Sequence, residues 1–308
     1  MLMYTEDNYN SEQIRADISF LKYQLSKNCR TTLIAGTGIA KLIEDCENYF
    51  VDPVKYHKDI KAIHILYTLV GSLKLLWFRD IDFCQQLNSL NTGDYEYGKV
   101  SPEKEFFYKD FEFEIFTTAI LARSGLNPSL PNHTVGNDIF CNDIEIQCKH
   151  PDIFSTNGID QKIRNFNNSL INNETYGIFA IAVEDSFEYS TLQTSDTPLN
   201  FEIFLDQKRK HCDKILKEIL EKSLVRAPKI LGVLVSASYY KINQTTTSNF
   251  HFVRDTNSIF CFRPDRREIK DEMYKKAYKI LYSFNPSPTM LTIEKGKIIT
   301  QNNQEYDH

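Results

Sequence analysis

The chain has 308 residues, of which 42% are hydrophobic and 13% aromatic, enough for one substantial core or for a medium domain with a smaller one. This composition excludes an intrinsically disordered or low-complexity protein. The formal net charge of −5 argues against a constitutive, nonspecific DNA-binding protein, although it permits an enzyme with a locally basic groove.

Cysteine usage and hydropathy bear on the cellular setting. The seven cysteines are well separated and contain no Cys-x-x-Cys pair. Neither a zinc knuckle nor a disulfide framework is therefore expected, and free thiols favour a reducing, cytoplasmic setting. The start of the chain lacks the basic and apolar runs of a signal peptide. The longest apolar segment, residues 62–78, is interrupted by polar residues, so we predict a core helix there and no membrane association.

The N-terminal third of the chain has apolar residues at helical spacing. We predict three helices, one that starts at Ser11, one over residues 39–49 and one over residues 56–78. Gly36-Thr37-Gly38 lacks the Gly-Lys-Ser/Thr ending of a P-loop, so a flexible helix start is the better interpretation. The turn-rich residues 91–102 are the predicted boundary. We therefore predict an all-helical accessory domain over residues 1–98 and a second domain over residues 99–308.

Residues 110–124, DFEFEIFTTAILARS, are predicted to form an amphipathic helix that ends at Gly125. Its apolar residues at helical spacing are Phe113, Phe116, Ile120 and Leu121. Glu112 and Glu114 are two residues apart, which separates them by about 200° around a helix. At most one of these two acids can therefore face a site on the following strands.

The next predicted element is a β-hairpin over residues 136–151, GNDIFCNDIEIQCKHP. Two alternating runs are separated only by Asn142 and Asp143, which tolerate the positive φ of a tight turn. This two-residue loop sets Asp138 opposite Gln147, on the same side of the hairpin. The other side is apolar and is expected to be buried, with Ile139, Cys141, Ile144, Ile146 and Cys148.

The polar side of this hairpin suits phosphodiester cleavage. Asp138 can hold Mg²⁺, which prefers oxygen ligands, and the amide oxygen of Gln147 can serve as a weaker neutral ligand. Lys149 shares this side two residues further along and could orient or help deprotonate a water, or offset charge on a phosphate. One carboxylate is an incomplete metal site, and Glu114 of the preceding helix is the available second one.

Glu145 is the alternative acidic ligand, because it also points to the polar side. Its predicted position opposite Phe140, nearer the turn, argues against choosing it over Gln147. The sequence leaves open whether Glu145 takes part in metal binding or remains solvated.

The order of these motifs resembles the PD-(D/E)xK nuclease superfamily. It is most similar to the branch related to the Mrr restriction endonucleases, in which glutamine often replaces the last acidic residue. The matching residues are Phe113-Glu114, the helix end at Gly125, Gly136-x-Asp138 and Gln147-x-Lys149. A proline before Asp138 is missing, at a position that varies widely across the superfamily.

The resemblance implies an α/β, restriction-endonuclease-like core with a mixed β-sheet flanked by helices. It implies that Glu114 is the helix-borne acid, Asp138 the central metal ligand, Gln147 the substituted acid and Lys149 the catalytic lysine. Glu114, Asp138 and Gln147 would thus be the metal ligands.

The implied activity is that of a Mg²⁺-dependent DNA endonuclease, in which Mn²⁺ can substitute for Mg²⁺. Such nucleases commonly act in restriction or antiviral defence, where a partner protein can license cleavage, and the sequence leaves a homo-oligomer open. A noncatalytic nucleic-acid-binding or assembly subunit that keeps the nuclease fold is the alternative, because Gln147 replaces an acid. These motifs do not separate DNA cleavage from RNA cleavage.

Downstream, residues 158–170 are predicted to form a helix that leads to a strand at residues 176–184. In nucleases of the kind this chain resembles, that helix often adds polar contacts near the phosphate, which makes Gln161 and Lys162 candidates. A solvated helical face is the simpler interpretation of the same residues.

Residues 201–224 are predicted to form another helix, and residues 208–229 hold eight Lys or Arg against three acids. Lys210, Lys214 and Lys217 share one face that could follow a phosphate backbone. An ordinary exposed lysine face is an equal alternative.

The remaining predicted elements are strands at residues 230–236, 250–254 and 259–263, a helix over residues 270–284 and a frayed C-terminus. Trp77, the only tryptophan, is expected in the core. His150 could contact substrate, although a residue at a strand end is more often exposed.

Overall fold

The computed structural model describes residues 3–5, 11–36, 38–52, 60–92, 108–131, 138–151, 156–183, 210, 213–214, 217–242 and 250–302. The predicted boundary stretch from residue 93 to 102, Gly136 and residues 201–209 of the predicted helix lie outside these ranges.

The N-terminal part is a short strand followed by four helices, and we call these four helices the helical block. These elements are β1 (Met3–Thr5), α1 (Ser11–Tyr23), α2 (Gly38–Val51), α3 (Ile60–Phe78) and α4 (Cys84–Thr92). The strand corrects the prediction that residues 1–98 are all helical, because it pairs with a strand of the sheet. A π-helical turn, Gln24–Asn28, extends α1. All three predicted helices of this region are therefore confirmed within the described residues, and α2 begins at the predicted glycine-rich helix start.

The central part alternates helices and strands. Its elements are α5 (Tyr108–Arg123), β2 (Pro128–Ser129), β3 (Ile139–Cys141), β4 (Ile144–Lys149), α6 (Thr156–Asn172) and β5 (Tyr176–Ala182). The C-terminal part continues with α7 (described at residues 217–222), a 3-10 turn (Leu224–Arg226), β6 (Ile230–Ile242), β7 (Phe250–Phe262), α8 (Asp271–Tyr282), β8 (Thr289–Glu294) and β9 (Lys297–Asn302).

The nine strands of the described residues form one mixed sheet with the order β2-β3-β4-β5-β6-β7-β8-β9, and β1 pairs with β7. The pairs β4/β5, β5/β6 and β7/β8 are parallel, and the other pairs are antiparallel. The predicted α/β class with a mixed sheet is therefore confirmed.

Helices cover both faces of the sheet. On one face, α6 and α7 pack against the strands through Ile159, Ile163, Phe166, Leu170, Ile219 and Leu220. On the other face, α5 and α8 pack through Phe113, Phe116, Ile120, Leu121, Tyr274, Ala277 and Leu281. Gly177 of β5 permits the approach of α6, because a Cβ there would lie 2.6 Å from the ring of Phe166.

The hairpin of β3 and β4 has the register that the sequence predicts. Phe140 pairs with Glu145 and Cys141 with Ile144. Asn142 and Asp143 have φ values of 52° and 64°, as a two-residue turn of this kind requires. The five apolar residues of the opposite side are buried, as expected: Ile139, Cys141, Ile144, Ile146 and Cys148.

Helix α5 differs from the predicted amphipathic helix because it is buried on two sides. One side packs on the sheet, and the other joins the core of the helical block through Phe111, Ile115, Ala119 and Ala122. A helix that is covered on opposite sides carries apolar residues around most of its circumference. Helix α5 thus connects the helical block with the sheet.

The strand β7 corrects the prediction of two separate strands. Residues 255–257 keep pairing with β6 between the two predicted segments. Their polar side chains find partners, since the Thr256 hydroxyl donates to the carbonyl of Phe284 at 2.9 Å and the Asn257 amide to Asp213 at 2.9 Å. The ladder therefore continues through a polar stretch.

The hairpin of β8 and β9 is absent from the prediction. Lys295 and Gly296, with φ values of 49° and 71°, form its turn. Of the C-terminal residues expected to be frayed, 301 and 302 belong to β9, and residues 303–308 lie outside the described ranges.

The expectation of free thiols throughout the chain is wrong for one pair. Cys29 and Cys84, 55 residues apart, form a disulfide between the end of the π-helical turn and the start of α4. The four described cysteines that remain free are all buried: Cys46, Cys141, Cys148 and Cys261.

The longest apolar segment of the chain lies in α3, which packs in the core of the helical block as predicted. No helix of the described ranges has the length and apolarity needed to cross a bilayer. Trp77, at the end of α3, is 46% exposed, which corrects the expectation that it lies in the core.

Candidate functional site

The end of β4 brings three of the predicted residues together. Asp138 immediately precedes β3, and its Oδ2 accepts hydrogen bonds from Gln147 Nε2 and from the backbone N–H of Cys148, both at 2.7 Å. Lys149 Nζ lies 3.6 Å from the same oxygen. The carboxylate of Asp138 is therefore fixed to β4 by two bonds and faces the ammonium group of Lys149.

Lys149 is largely buried, with 22% of its side chain exposed. Burial alone would lower its pKa, but the carboxylates of Asp110, Asp138 and Glu114 together raise the pKa above the usual value. Lys149 therefore carries its positive charge at neutral pH. This charge suits a role towards an anionic phosphate and disfavours the role of a general base.

Asp110 of α5 is the site residue that sequence reasoning missed. Its Oδ1 accepts a hydrogen bond from the backbone N–H of His150 at 2.6 Å, and its Oδ2 lies 3.7 Å from Lys149 Nζ. Asp110 lies one helical turn before Glu114, so the two side chains share one side of α5. That spacing is the signal in the sequence that could have identified it.

Glu114 reaches the same group from α5 and is only 2% exposed. Burial raises its pKa well above the usual value of 4.5, the nearby charge of Asp138 raises it further, and Lys149 opposes the shift. The side-chain amide of Gln86 also opposes it, so α4 of the helical block contributes a residue next to Glu114.

Glu112 lies in a different environment from Glu114, because the two residues point in different directions from α5. The hydroxyl of Thr68 in α3 donates to Glu112 Oε1 at 3.4 Å. Of the two neighbouring acids on α5, the structure thus brings Glu114 to the site and directs Glu112 to the helical block.

Glu145 is not part of this group, and it is not solvated. It pairs with Phe140 as predicted, is 2% exposed and accepts a hydrogen bond from the hydroxyl of Thr175. It precedes Lys149 by four residues, roughly 13 Å along a strand. Its position therefore favours Gln147 over Glu145 as a neighbour of Asp138.

His150 is buried, with 4% of its surface exposed, which corrects the expectation of an exposed strand end. Its backbone bond to Asp110 holds the end of β4 against α5.

Oxygen donors and charge decide whether a cation fits this site. Glu114, Asp138 and Gln147 offer two carboxylates and an amide oxygen, the ligand types that Mg²⁺ prefers. Asp110, Glu114 and Asp138 all lie near Lys149, and the negative charges of Asp138 and Asp110 contribute to the raised pKa of Glu114. A divalent cation would offset these negative charges, so the donor set fits Mg²⁺ or Mn²⁺.

Glu114 and Asp138 do not belong to a ready-made cluster of charged metal ligands in the described part of the chain. Among the described residues, no group of three or more His, Cys, Asp and Glu side chains has a geometry that could hold a metal ion. The donor set would therefore have to include the amide of Gln147 or groups from outside the chain.

The candidate nucleic-acid contacts fall into two groups. Lys162 of α6 is half-buried and close enough to Asp110 to lower the pKa of that carboxyl. Gln161 is exposed and donates to Asn165 Oδ1 at 3.1 Å. The structure thus brings Lys162, but not Gln161, towards the carboxylates.

The lysines near α7 are exposed: Lys210, Lys214 and Lys217. Lys214 and Lys217 each lie 4.0 Å from a glutamate one turn later, Glu218 and Glu221. In the described part of the chain, no ion pair joins Lys214 or Lys217 to Asp138, Glu114 or Asp110. The charges of Lys214 and Lys217 are therefore partly neutralised by the neighbouring glutamates.

No protein-family model, no curated protein and no solved structure matches this chain. The relation to the PD-(D/E)xK superfamily is therefore a resemblance carried by a few residues and by the order of the elements around them. The chemistry of the site has to support any assignment of function.

Proposed function

We propose that this chain is a Mg²⁺-dependent endonuclease that hydrolyses phosphodiester bonds in DNA. The observation that supports this most is the contact of Gln147 and Lys149 with one carboxylate, Asp138, beside the acid Glu114 of α5. These are the four residues to which the resemblance assigns the catalytic site, and they come from two distant parts of the sequence.

The order of the elements gives further support. Helix α5, the β3/β4 hairpin, α6 and β5 follow one another in the chain, and β4 and β5 are neighbouring parallel strands. We propose on this basis that residues 99–308 contain a restriction-endonuclease-like core and that residues 1–98 form an accessory domain.

Glu114, Asp138 and Gln147 would hold the cation, and Mn²⁺ could replace Mg²⁺. When bound, the cation would polarise the phosphate and stabilise the charge that develops during hydrolysis. A bound cation would favour the charged form of Glu114 and so oppose burial and Asp138, which raise the pKa of this carboxyl.

Asp138 and Lys149 would act on the substrate side. The two hydrogen bonds to Asp138 Oδ2 fix the carboxylate and leave Oδ1 to face a ligand. Lys149, held in its charged form, would orient the attacking water and offset charge on the phosphate.

DNA would reach the site across α6. Lys162 of α6 would contact the DNA backbone near the cleaved bond. Gln161, Lys210, Lys214 and Lys217 would contact it further away. Because the chain as a whole is acidic, a bound cation and these local lysines would provide the attraction for a polyanion.

The biological setting that we propose is restriction or antiviral defence, with a protein partner that licenses cleavage or with a homo-oligomer. The cytoplasm remains the proposed location, although the Cys29–Cys84 disulfide removes the argument from free thiols.

Cleavage assays with wild-type protein and Asp138→Ala test the proposed function. Supercoiled plasmid, linear duplex DNA and RNA would be incubated with Mg²⁺, Mn²⁺ or a chelator. We expect metal-dependent cleavage of DNA by the wild type and a loss of about 100-fold or more in Asp138→Ala. RNA cleavage without DNA cleavage would replace the proposed substrate.

The matched control is Asp143→Asn. Asp143 also pairs with a lysine, Lys276, at 2.6 Å, but it lies in the turn at the other end of the hairpin. We expect this variant to cleave like the wild type. Equal cleavage by Asp138→Ala and Asp143→Asn would contradict the assignment of the site.

The alternative is a noncatalytic nucleic-acid-binding or assembly subunit. It is favoured by one observation: Gln147 donates its amide to Asp138 where an acid would add a third negative ligand. Calorimetric titration with Mg²⁺ and Mn²⁺, with and without DNA, separates the two functions. Absence of metal binding even with DNA present would favour the noncatalytic subunit.

A further inference from the structure

We propose that Asp110 is a positioning residue, which together with Asp138 holds the ammonium group of Lys149 in place for the reaction. This inference rests on the proposed function, in which Lys149 faces the phosphate. Asp110 is not among the residues that the motifs of the sequence identify.

Strand β4 extends beyond its partner β3. The strand β3 pairs with residues 144–146, whereas β4 runs on to Lys149. Beyond this paired part, the backbone N–H of Cys148 donates to Asp138 and that of His150 donates to Asp110. Two carboxylates thus accept hydrogen bonds from backbone N–H groups that β3 does not reach. The two donors are the residues directly before and after Lys149.

The ammonium group of Lys149 lies between these two carboxylates. Lys149 Nζ lies 3.6 Å from Asp138 Oδ2 and 3.7 Å from Asp110 Oδ2. Each carboxylate accepts a backbone N–H, Asp138 from Cys148 in β4 and Asp110 from His150 just after it, and these bonds limit the movement of both acids. The pair therefore restricts a long, flexible side chain from two directions.

Both carboxylates are largely buried. Only 15% of the side chain of Asp110 and 9% of that of Asp138 are exposed. Ion pairs in such surroundings are screened by solvent much less than pairs at the surface. Other titratable groups near this ion pair are Glu114 of α5 and Cys148, which act on Lys149, and Lys162 of α6 and His150, which act on Asp110.

The decisive variant is Asp110→Asn, because asparagine keeps an oxygen for the His150 N–H and removes only the charge. We expect kcat for DNA cleavage to fall by about 10- to 100-fold, with KM changed by less than about two-fold, as for a misplaced reacting group. Asp110→Glu, which restores the charge on a longer side chain, should recover part of kcat. Asp143→Asn is the matched control and should retain the wild-type kcat.

Wild-type kcat in Asp110→Asn would overturn the inference. A rise in KM alone would also overturn it, because it would identify Asp110 as a substrate-binding residue.

A double-mutant cycle on thermal unfolding tests the same contact without any activity. Replacing Lys149 by methionine leaves Asp110 and Asp138 as neighbouring carboxylates without their shared cation. The change in Tm caused by Asp110→Asn should therefore be more positive, by at least about 2 °C, in the Lys149→Met background than in the wild type. The same Tm change in both backgrounds would overturn the inference.

The two measurements distinguish the inference from the function on which it rests. A wild type that cleaves neither DNA nor RNA would remove the proposed function, and the Tm cycle would still decide whether Asp110 and Lys149 interact. A wild type that cleaves, with Asp110→Asn as active, would remove the inference alone.

Discussion

At the scale of residues, the site is a buried group of acids around Lys149. The protonation of these acids should affect the stability of the folded protein. The pKa of Glu114 is raised well above 4.5, first by burial and then by Asp138. A carboxyl whose pKa is higher in the folded state than in the unfolded state stabilises the fold when the pH is below the unfolded-state pKa. This contribution is lost as the pH rises through the folded-state pKa. The metal-free protein should therefore lose stability as the pH rises from about 4.5 towards neutrality.

Thermal unfolding in a chelator across this pH range measures the effect. Glu114→Gln should weaken the pH dependence, because glutamine does not titrate, whereas the exposed control Glu221→Gln should leave it unchanged. Equal pH dependence in wild type and Glu114→Gln would contradict the assignment of the raised pKa to Glu114.

Much of the arrangement of the site residues could be predicted, because it depends on a short stretch of sequence. The turn Asn142-Asp143 fixes the register of β3 and β4, so the neighbourhood of Asp138, Gln147 and Lys149 follows from a short stretch of sequence. Asp110 could not be assigned in the same way. Its role depends on where β3 stops pairing and on how closely α5 approaches the end of β4.

At the scale of elements, the helical block is joined to the sheet through α5, and α4 carries Gln86 to Glu114. The position of α4 depends on a close approach to the start of α2. A Cβ on Gly38 would lie 2.0 Å from the backbone oxygen of Leu90, and Gly38 has a φ of +46°.

Gly38→Ala should therefore be strongly destabilising, by about 3 kcal/mol or more, because both the steric overlap and the positive φ penalise a side chain. Gly36→Ala is the matched control, since Gly36 has a φ of +75° but no atom within 4 Å of the added Cβ. It should cost only about 1 kcal/mol. Chemical denaturation measures both values, and equal losses would contradict the close packing of α2 on α4.

Two elements, β7 and α5, differ from what the patterns in the sequence predict. The break predicted within β7 is absent because Thr256 and Asn257 find partners outside the strand. The predicted amphipathic face of α5 is only one of its two buried sides, because the helical block covers the other. Both outcomes depend on distant segments, which local periodicity does not record.

At the scale of the whole molecule, the Cys29–Cys84 disulfide closes a loop of 55 residues within the helical block. Closing a loop of this length should stabilise the folded chain by roughly 2–4 kcal/mol, mainly by restricting the unfolded state. Two cysteines this far apart, outside a framework of several disulfides, cannot be recognised as a pair from the sequence alone. Only the packing of α1, α2 and α4 brings the two cysteines together.

The double variant Cys29→Ser/Cys84→Ser measures this contribution. Its free energy of unfolding should be lower than that of the wild type, and a reductant should destabilise the wild type while leaving the double variant unchanged. A wild type that is insensitive to reductant would contradict a stabilising disulfide.

The central claim is that Asp138, Gln147, Lys149 and Glu114 form a metal-dependent nuclease site. The most direct test is the rate of plasmid cleavage by wild type and Lys149→Ala at saturating Mg²⁺. We predict cleavage that a chelator abolishes and a loss of about 100-fold or more in Lys149→Ala, with the fold intact by circular dichroism. Cleavage by Lys149→Ala at the wild-type rate would contradict the claim.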